Sequence, residues 1–160
     1  SLADALAITL LECRGFTSQD FAKSHPQGEL GKRLLKKVEN LMYTTKLPLI
    51  KNNILLKKAI NIITTFNLGI AVIIDKNKKI LGIFTDGDLR RTLDKKPDIS
   101  RMLIFDLMTK RPVTITRDTM AAEALNLMEE KEITSLLVVD EKNSLLGILT
   151  LNELIKSGIS

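Results

Sequence analysis

A short phrase occurs twice in this 160-residue chain and restricts how the chain can fold. Residues 82–89 read Gly-Ile-Phe-Thr-Asp-Gly-Asp-Leu, and residues 147–154 read Gly-Ile-Leu-Thr-Leu-Asn-Glu-Leu. Each copy follows an apolar run that ends in an aspartate, and a Leu-Met pair lies further upstream in both copies. A repeat of this length is one supersecondary unit that cannot bury its apolar face alone. Two copies can bury that face against each other, which predicts one fold built from two packed units.

Both copies are predicted to have the same order of elements: strand, helix, strand, strand, helix. In the first copy Leu55, Ala59, Ile62 and Phe66 recur at helical spacing. The apolar run over residues 68–74 is typical of a strand that is covered on both faces. The predicted fold class is therefore α/β (α+β), with two β-α-β-β-α repeats related by a pseudo-twofold axis and a cleft between them.

The repeat also predicts where the domains of the chain begin and end. We expect residues 1–37 to form a helical tail and linker, residues 38–96 the first repeat, and residues 97–160 the second. The chain opens with Ser inside an apolar helical pattern over residues 2–13, which suggests a piece of something larger. Side chains that favour helix N-termini precede the first long helix of each repeat: Asn52 and Asn53, then Asp118 and Thr119.

Composition excludes several classes of protein. The net charge of +5 is compatible with attraction to phosphates or nucleic acid, but aromatic residues make up only 4% of the chain and offer no stacking platform. We therefore favour a lysine-rich surface and expect no nucleic-acid partner. The single cysteine, Cys13, excludes an internal disulfide and fits a reducing, cytoplasmic compartment. No apolar run approaches the ~20 residues of a membrane span, so we expect no membrane partner.

The repeated threonine is the first candidate for a binding site. Thr85 ends a predicted strand just before a helix N-terminus, where free amides and the helix dipole favour an anion. Asp88, one turn further, has the charge to accept hydrogen bonds from a ribose diol. An equally good interpretation is that Thr85 and Asp86 cap the helix and Asp88 complements its dipole. The second copy keeps Thr150 but has Glu153 in place of the aspartate, so we expect one competent site at most.

The only histidine, His25, lies in an irregular loop that contains Pro26 and Gly28. A lone histidine in a loop is most often a surface residue. Histidine also titrates near neutrality and can move protons, so a catalytic role is the alternative. We predict no metal site.

The doubled Gly-x-x-Thr-x-x-Asp pattern resembles a tandem cystathionine-β-synthase (CBS) module over residues ~40 to 158. Three further stretches extend the resemblance to nearly the whole chain: Asp-Ala-Leu-Ala at 4–7, Ser-His-Pro-x-Gly-x-Leu-Gly at 24–31, and residues 84–91. Together they are similar to the C-terminal part of bacterial arabinose 5-phosphate isomerases. These enzymes join a sugar-isomerase (SIS) domain to a CBS pair and convert ribulose 5-phosphate to arabinose 5-phosphate, the entry to Kdo for lipopolysaccharide.

The resemblance implies several functional assignments. His25 inherits an active-site role, but the catalytic Lys and Glu and the phosphosugar loop belong to the SIS domain, so this chain alone should be inactive. It also implies an adenosine- or cytidine-type nucleotide as allosteric ligand of the CBS cleft, with no other cofactor. The implied partners are the missing SIS domain, a homodimer through CBS pairs, and a tetramer in the full-length enzyme.

Three functions compete at this point. The first is the regulatory and oligomerisation module of a sugar-phosphate isomerase, and the second is a free-standing CBS sensor of adenine nucleotides. A sensor does not need the Ser-His-Pro loop, which favours the first. The third is a basic nucleic-acid-binding protein. This hypothesis predicts that binding weakens steeply with salt, but the sequence contains no recognition helix to support it.

Overall fold

The computed structural model describes residues 2, 3, 20, 23, 27–95 and 98–159. His25, Cys13 and most of the predicted N-terminal helix lie outside the described residues. Within the described part, no helix has the length and apolar character needed to cross a membrane.

The elements of the first repeat follow the predicted order. They are preceded by helix α1 (Glu29–Leu34) and a 3₁₀ helix (Val38–Asn40). The repeat itself contains β1 (Leu49–Lys51), α2 (Leu56–Phe66), β2 (Ile70–Ile74), β3 (Ile80–Thr85) and α3 (Asp86–Lys95).

The second repeat has the same order after its own leading elements. Helix α4 (Ile104–Leu107) and strand β4 (Thr109–Lys110) come first. They are followed by β5 (Thr114–Ile115), α5 (Ala121–Lys131), β6 (Ser135–Val139), β7 (Leu145–Thr150) and α6 (Leu151–Lys156). The predicted strand-helix-strand-strand-helix order is confirmed in both copies.

Each repeat supplies three strands of its own sheet, with the same topology in both, and the first sheet gains β4 as a fourth strand. The first sheet has the strand order β1-β2-β3-β4 and the second has β5-β6-β7. In both, the opening strand is parallel to the central strand, which pairs antiparallel with its hairpin partner. The central pairs Val72–Ile83 and Leu137–Ile148 are in equivalent register.

The repeated aspartates close the two hairpins. One carboxylate oxygen of Asp75 accepts hydrogen bonds from the amides of Asn77 and Lys79, at 2.7 and 2.9 Å. Asp140 does the same for Lys142 and Ser144, at 2.9 and 2.8 Å. Aspartate favours such turns because its short side chain reaches the backbone two residues further on.

The two sheets bury a shared core between them. Ile70 and Val72 of the first repeat pack with Leu137 and Ile148 of the second, and each is at most 1% exposed. Helices cover the outer faces, with separate clusters centred on Phe84 in the first repeat and on buried α5 and β6 residues in the second. Strands covered on both faces explain the continuous apolar runs in the sequence.

The segments that lead into the repeats are exchanged. We call residues 36–43 and 102–110 the leading segments. Ile104 and Met108, from the second, pack in the outer core of the first repeat, and β4 pairs with β3. Val38, from the first, packs in the outer core of the second repeat, and Tyr43 bridges to Ile148 of β7. Neither core is complete without chain from the other repeat.

This exchange corrects the predicted helix caps. Helix α2 begins at Leu56 and α5 at Ala121, and their N-cap residues, Leu55 and Met120, make no side-chain cap. Instead, the amide of Leu56 donates to the carbonyl of Met102, and the amide of Ala121 donates to that of Lys36, both at 2.8 Å. The prediction of Asn52, Asn53, Asp118 or Thr119 as caps is wrong because a leading segment supplies the acceptor.

Candidate functional site

Thr85 and Asp88 are brought together at the start of α3. The Thr85 hydroxyl accepts a hydrogen bond from the Asp88 amide at 3.2 Å. In return, Asp88 Oδ2 accepts from the amide and the hydroxyl of Thr85, both at 2.9 Å. This reciprocal arrangement is a capping box, which satisfies amides that a helix N-terminus leaves unpaired.

The second carboxylate oxygen of Asp88 holds two residues from outside the box. Arg91 Nη2 donates to Oδ1 at 2.6 Å, and Thr109 Oγ1, from the second leading segment, donates to it at 3.2 Å. Asp88 is only 8% exposed. A buried carboxylate is tolerated where it is paired and hydrogen-bonded in this way. We call Thr85, Asp88, Arg91 and Thr109 the first clasp, because it fastens α3 to the leading segment of the other repeat.

The second copy builds an equivalent group with longer side chains. The Thr150 hydroxyl accepts from the Glu153 amide at 3.3 Å and caps α6. Glu153 Oε1 accepts from the Tyr43 hydroxyl at 2.7 Å and lies 3.6 Å from Lys156 Nζ. Tyr43 belongs to the first leading segment. Thr150, Glu153, Tyr43 and Lys156 therefore form a second clasp, related to the first by the repeat.

Tyr43 has a shifted pKa in this clasp. Its hydrogen bond to Glu153 raises the pKa of the phenol, and burial and the negative charge of Glu153 add to the effect. The neutral phenol is favoured because it donates to a carboxylate.

Five site residues predicted from the sequence lie in described parts of the structure, in two places. Thr85 and Asp88 meet in the first clasp, and Thr150 and Glu153 in the second. Asp86 is exposed, and no hydrogen bond of its side chain to another described residue is observed. The sixth, His25, lies outside the described residues.

A cleft of about 370 Å³ opens beside the first clasp, between the two repeats. It is formed by the turn before β2, the end of β3 with the start of α3, the β4–β5 connection, and the α5–β6 connection. We call it the inter-repeat cleft. Its lining residues are Gly69, Ile83, Thr85, Asp86, Gly87, Arg90, Arg91, Thr109, Arg111, Pro112, Val113, Glu132, Ile133, Thr134 and Ser135.

Three arginines give the cleft its chemical character. Arg91 is paired with Asp88, whereas Arg90 and Arg111 make no ion pair with a described residue. Two carboxylates, Asp86 and Glu132, also line it. The mixture of guanidinium, carboxylate, hydroxyl and apolar groups suits a ligand that combines an anion with hydroxyls and an apolar portion.

Sequence reasoning missed Thr109, Tyr43 and Arg111. A signal was present for the first two, because each follows directly on one of the repeated Leu-Met pairs. Arg111 occupies a left-handed backbone conformation, φ +54°, in the turn that links β4 to β5. Nothing local in the sequence indicates that this turn faces α3.

A larger cavity, about 490 Å³, lies elsewhere in the second repeat. It is lined by both acidic and basic residues of the β5–α5 connection and the β6–β7 hairpin, such as Arg117, Asp118 and Glu141. Its lining includes no residue of the repeated phrase and no member of either clasp. Size alone does not make it the better candidate.

Comparison with known proteins places this geometry in context. The CBS domain family matches residues 38–95 and 104–159. The arabinose 5-phosphate isomerases KdsD of Escherichia coli K12 and Pseudomonas aeruginosa PAO1 are each 45% identical over 159 residues. The matches cover 99% of this chain but 48% and 49% of those enzymes. The chain thus spans about half the length of the curated relatives it matches.

Solved structures agree with the sequence comparison. CBSX2 in complex with AMP has a TM-score of 0.65 and 25% identity, over 77% of this chain and 96% of that chain. An uncharacterised conserved protein from Pyrococcus horikoshii has a TM-score of 0.72 and 24% identity, over 79% of this chain and 95% of that chain.

Proposed function

The chain belongs to the CBS domain family, and from this premise we propose that it is the regulatory and oligomerisation module of a D-arabinose 5-phosphate isomerase. The observation that carries the proposal is 45% identity to such isomerases along 99% of the chain. Such identity extends well beyond the repeated motif. The proposed reaction of the whole enzyme is the interconversion of ribulose 5-phosphate and arabinose 5-phosphate, in the cytoplasm.

The proposed catalytic apparatus is divided between two parts of the enzyme. His25 is assigned to the active site, where aldose–ketose exchange needs groups that move protons. The remaining catalytic groups are assigned to a sugar-isomerase domain that occupies the other half of the relatives' length. The 160-residue chain should therefore not convert ribulose 5-phosphate by itself. Turnover above the buffer rate, in an assay where full-length E. coli KdsD is active, would contradict this assignment.

The proposed regulatory ligand is a nucleotide of the adenosine or cytidine type, bound in the inter-repeat cleft. Support comes from the arginines and carboxylates that line the cleft and from AMP in the related CBSX2 structure. A thermal-shift screen of AMP, ADP, ATP, S-adenosylmethionine, CMP and CMP-Kdo tests it. A ligand at 100 times its Kd adds about 2.7 kcal/mol, which raises the Tm of a domain this size by about 5–10 °C. No shift with any compound would leave the module with an assembly role only.

The module is also proposed to pair with a second copy, and two such pairs to form the tetramer of the full enzyme. Light scattering of the 160-residue chain at several concentrations tests the first step. A monomer at every concentration would contradict a CBS-mediated dimer.

A free-standing nucleotide sensor remains the second candidate. One observation favours it: this chain covers 95% or more of some solved CBS structures, which are little longer than the pair itself. The two candidates share the ligand test above. They differ in whether the chain works together with a sugar-isomerase domain, which the sequence of the gene that encodes it would show.

A further inference from the structure

We propose that two copies of the chain pair head to tail, with the outer face of α2 in one copy packed antiparallel on the outer face of α5 in the other. The proposal rests on the proposed function in one respect, namely that two copies of the module pair. It adds the orientation of the pair and the residues that hold it. The partner on each helix face is a second copy of this chain, recognised by opposite charge.

The outer faces of α2 and α5 occupy equivalent places in the two repeats but carry opposite charge. Each is the helix between the first and second strands of its repeat. Helix α2 exposes Lys57 and Lys58 and contains no acidic residue. Helix α5 exposes Glu123, Glu129 and Glu130. We call these the basic face and the acidic face.

Most of these charges are unfavourable within their own helices. Lys57 and Lys58 lie in the first turn of α2, whereas Glu129 and Glu130 lie in the last turn of α5. The helix dipole favours acidic residues in a first turn and basic residues in a last turn, so both pairs have the disfavoured sign. Neither lysine makes an ion pair with a described residue, and Glu130 makes only an exposed contact with Lys131, at 3.4 Å. A partner of opposite charge would stabilise both helix ends.

An antiparallel contact between the two faces supplies that partner. It brings the first turn of α2 against the last turn of α5 and sets Lys58 opposite Glu130. Asn61 and Asn126, which are exposed near the centre of the two faces, then lie opposite each other. A twofold axis repeats the whole contact, because the basic face of each copy meets the acidic face of the other.

The alternative, head-to-head pairing, brings like charges together. It places the lysines of two basic faces against each other, and the glutamates of two acidic faces likewise. Like charges across an interface disfavour the wrong arrangement strongly. Ile62 and Leu127, which are half-buried at equivalent positions beside the two faces, offer apolar area in either orientation. The charges therefore decide the orientation.

Cysteine cross-linking distinguishes the two orientations. Asn61→Cys and Asn126→Cys are prepared singly and together in a Cys13→Ser chain and treated with a short bismaleimide. We expect covalent dimers from the double variant and from a mixture of the two single variants, but none from either single variant alone. Covalent dimers from each single variant alone would indicate head-to-head pairing and overturn the inference.

Charge reversal tests the ion pairs. Lys58→Glu should weaken dimerisation about tenfold or more in analytical ultracentrifugation, because an attraction becomes a repulsion at two symmetry-related places. Its fold should be at least as stable as that of the natural protein, since glutamate suits the first turn of a helix. Adding Glu130→Lys to the same chain should restore the affinity to within about threefold. Lys76→Glu, in the exposed β2–β3 hairpin, is the matched control and should not change the affinity.

The outcomes separate this inference from the proposed function. A natural protein that is monomeric at every concentration would overturn both the inference and the proposed pairing. Tighter dimerisation of Lys58→Glu would overturn the inference alone, because it indicates two basic faces in contact. A dimer in which no variant cross-links would do the same. So would assemblies that grow beyond two copies, because a closed pair uses both faces.

Discussion

Two glycines of the repeated phrase are required by close backbone contact. A Cβ atom at Gly82 would lie 2.5 Å from the carbonyl oxygen of Thr109, and one at Gly147 would lie 2.5 Å from that of Tyr43. In each case a leading segment crosses directly over the strand, and a sulfur of the repeated Leu-Met pair is next nearest. The repeat of glycine and Leu-Met in the sequence therefore has one physical cause, the packing of a leading segment on a strand.

The first prediction concerns these glycines. Gly82→Ala and Gly147→Ala should each destabilise the chain by about 1–3 kcal/mol, because the new methyl group forces backbone apart. Gly87→Ala is the matched control. Its Cβ would be in ordinary contact with the flexible Arg91 side chain at 3.4 Å and the Thr85 hydroxyl at 3.6 Å. Alanine also favours a helix over glycine by about 0.5–1 kcal/mol. Urea unfolding measures all three, and equal effects would contradict the account.

The second prediction concerns pH and Tyr43. The hydrogen bond to Glu153 raises the phenol pKa above its ordinary value of about 10. A group whose pKa is raised on folding adds stability below its unfolded pKa and loses it as pH rises through the folded pKa. Tyr43→Phe should therefore be about 1 kcal/mol less stable at pH ~8, and the difference should shrink above pH ~10. Lysine side chains also titrate in this range, but they do so in both proteins and cancel in the comparison. A stability difference between the natural protein and Tyr43→Phe that stays constant to pH ~11 would therefore contradict the hydrogen bond between Tyr43 and Glu153.

At the level of elements, the clasps determine how α3 and α6 attach to the rest of the molecule. Each helix N-terminus is capped by the threonine of its own repeat and tied to the leading segment of the other, by Thr109 in one case and Tyr43 in the other. The repeated phrase thus serves both repeats structurally. The second copy fulfils this structural role with Glu153 in place of an aspartate.

The third prediction separates the two acidic residues at the start of α3. Asp88→Ala should destabilise the chain by about 2–3 kcal/mol, since it removes a capping box and leaves polar partners unsatisfied. Asp86→Ala should change stability by less than about 1 kcal/mol, because its exposed side chain contributes mainly through the helix dipole. Chemical denaturation measures the free energy of unfolding of both variants and of the natural protein. A larger effect of Asp86→Ala would mean that the cap is assigned to the wrong residue.

Much of the element order was predictable, because it depends on local pattern. The apolar run over residues 68–74 predicted a buried strand, which the structure shows as Ile70–Ile74. The aspartates that follow the apolar runs correctly predicted the two hairpin turns. The caps of α2 and α5 were not predictable, because the acceptors are carbonyls of Met102 and Lys36, distant in sequence. For the same reason the donors Thr109 and Tyr43 were missed, since each lies far in sequence from the carboxylate that accepts its hydrogen bond.

On the scale of the whole molecule, the exchange of leading segments makes the two repeats interdependent. Ile104 is fully buried in the outer core of the first repeat although it precedes the second in sequence. Val38 is buried in the outer core of the second. Because the two sheets also share a core, we expect that unfolding of one repeat disrupts the packing of the other.

The fourth prediction follows from this interdependence. Ile104→Ala should destabilise the chain by about 2–5 kcal/mol and lower hydrogen-exchange protection in β2 and β3 of the first repeat. Phe105→Ala, at a neighbouring residue that is 39% exposed, should have a much smaller effect. Unfolding should stay a single cooperative transition in the natural protein. Two separate transitions would show that the repeats are independent.

The central claim is that the inter-repeat cleft is the ligand site, and an NMR titration of the ¹⁵N-labelled chain with AMP tests it most directly. We expect the largest amide shift changes at cleft-lining residues: Gly69, 85–87, Thr109, Arg111, Val113 and 132–135. Residues 116–118 and 140–142, at the larger cavity, should change little. Saturable changes confined to that larger cavity, or none at AMP concentrations in the millimolar range, would contradict the claim.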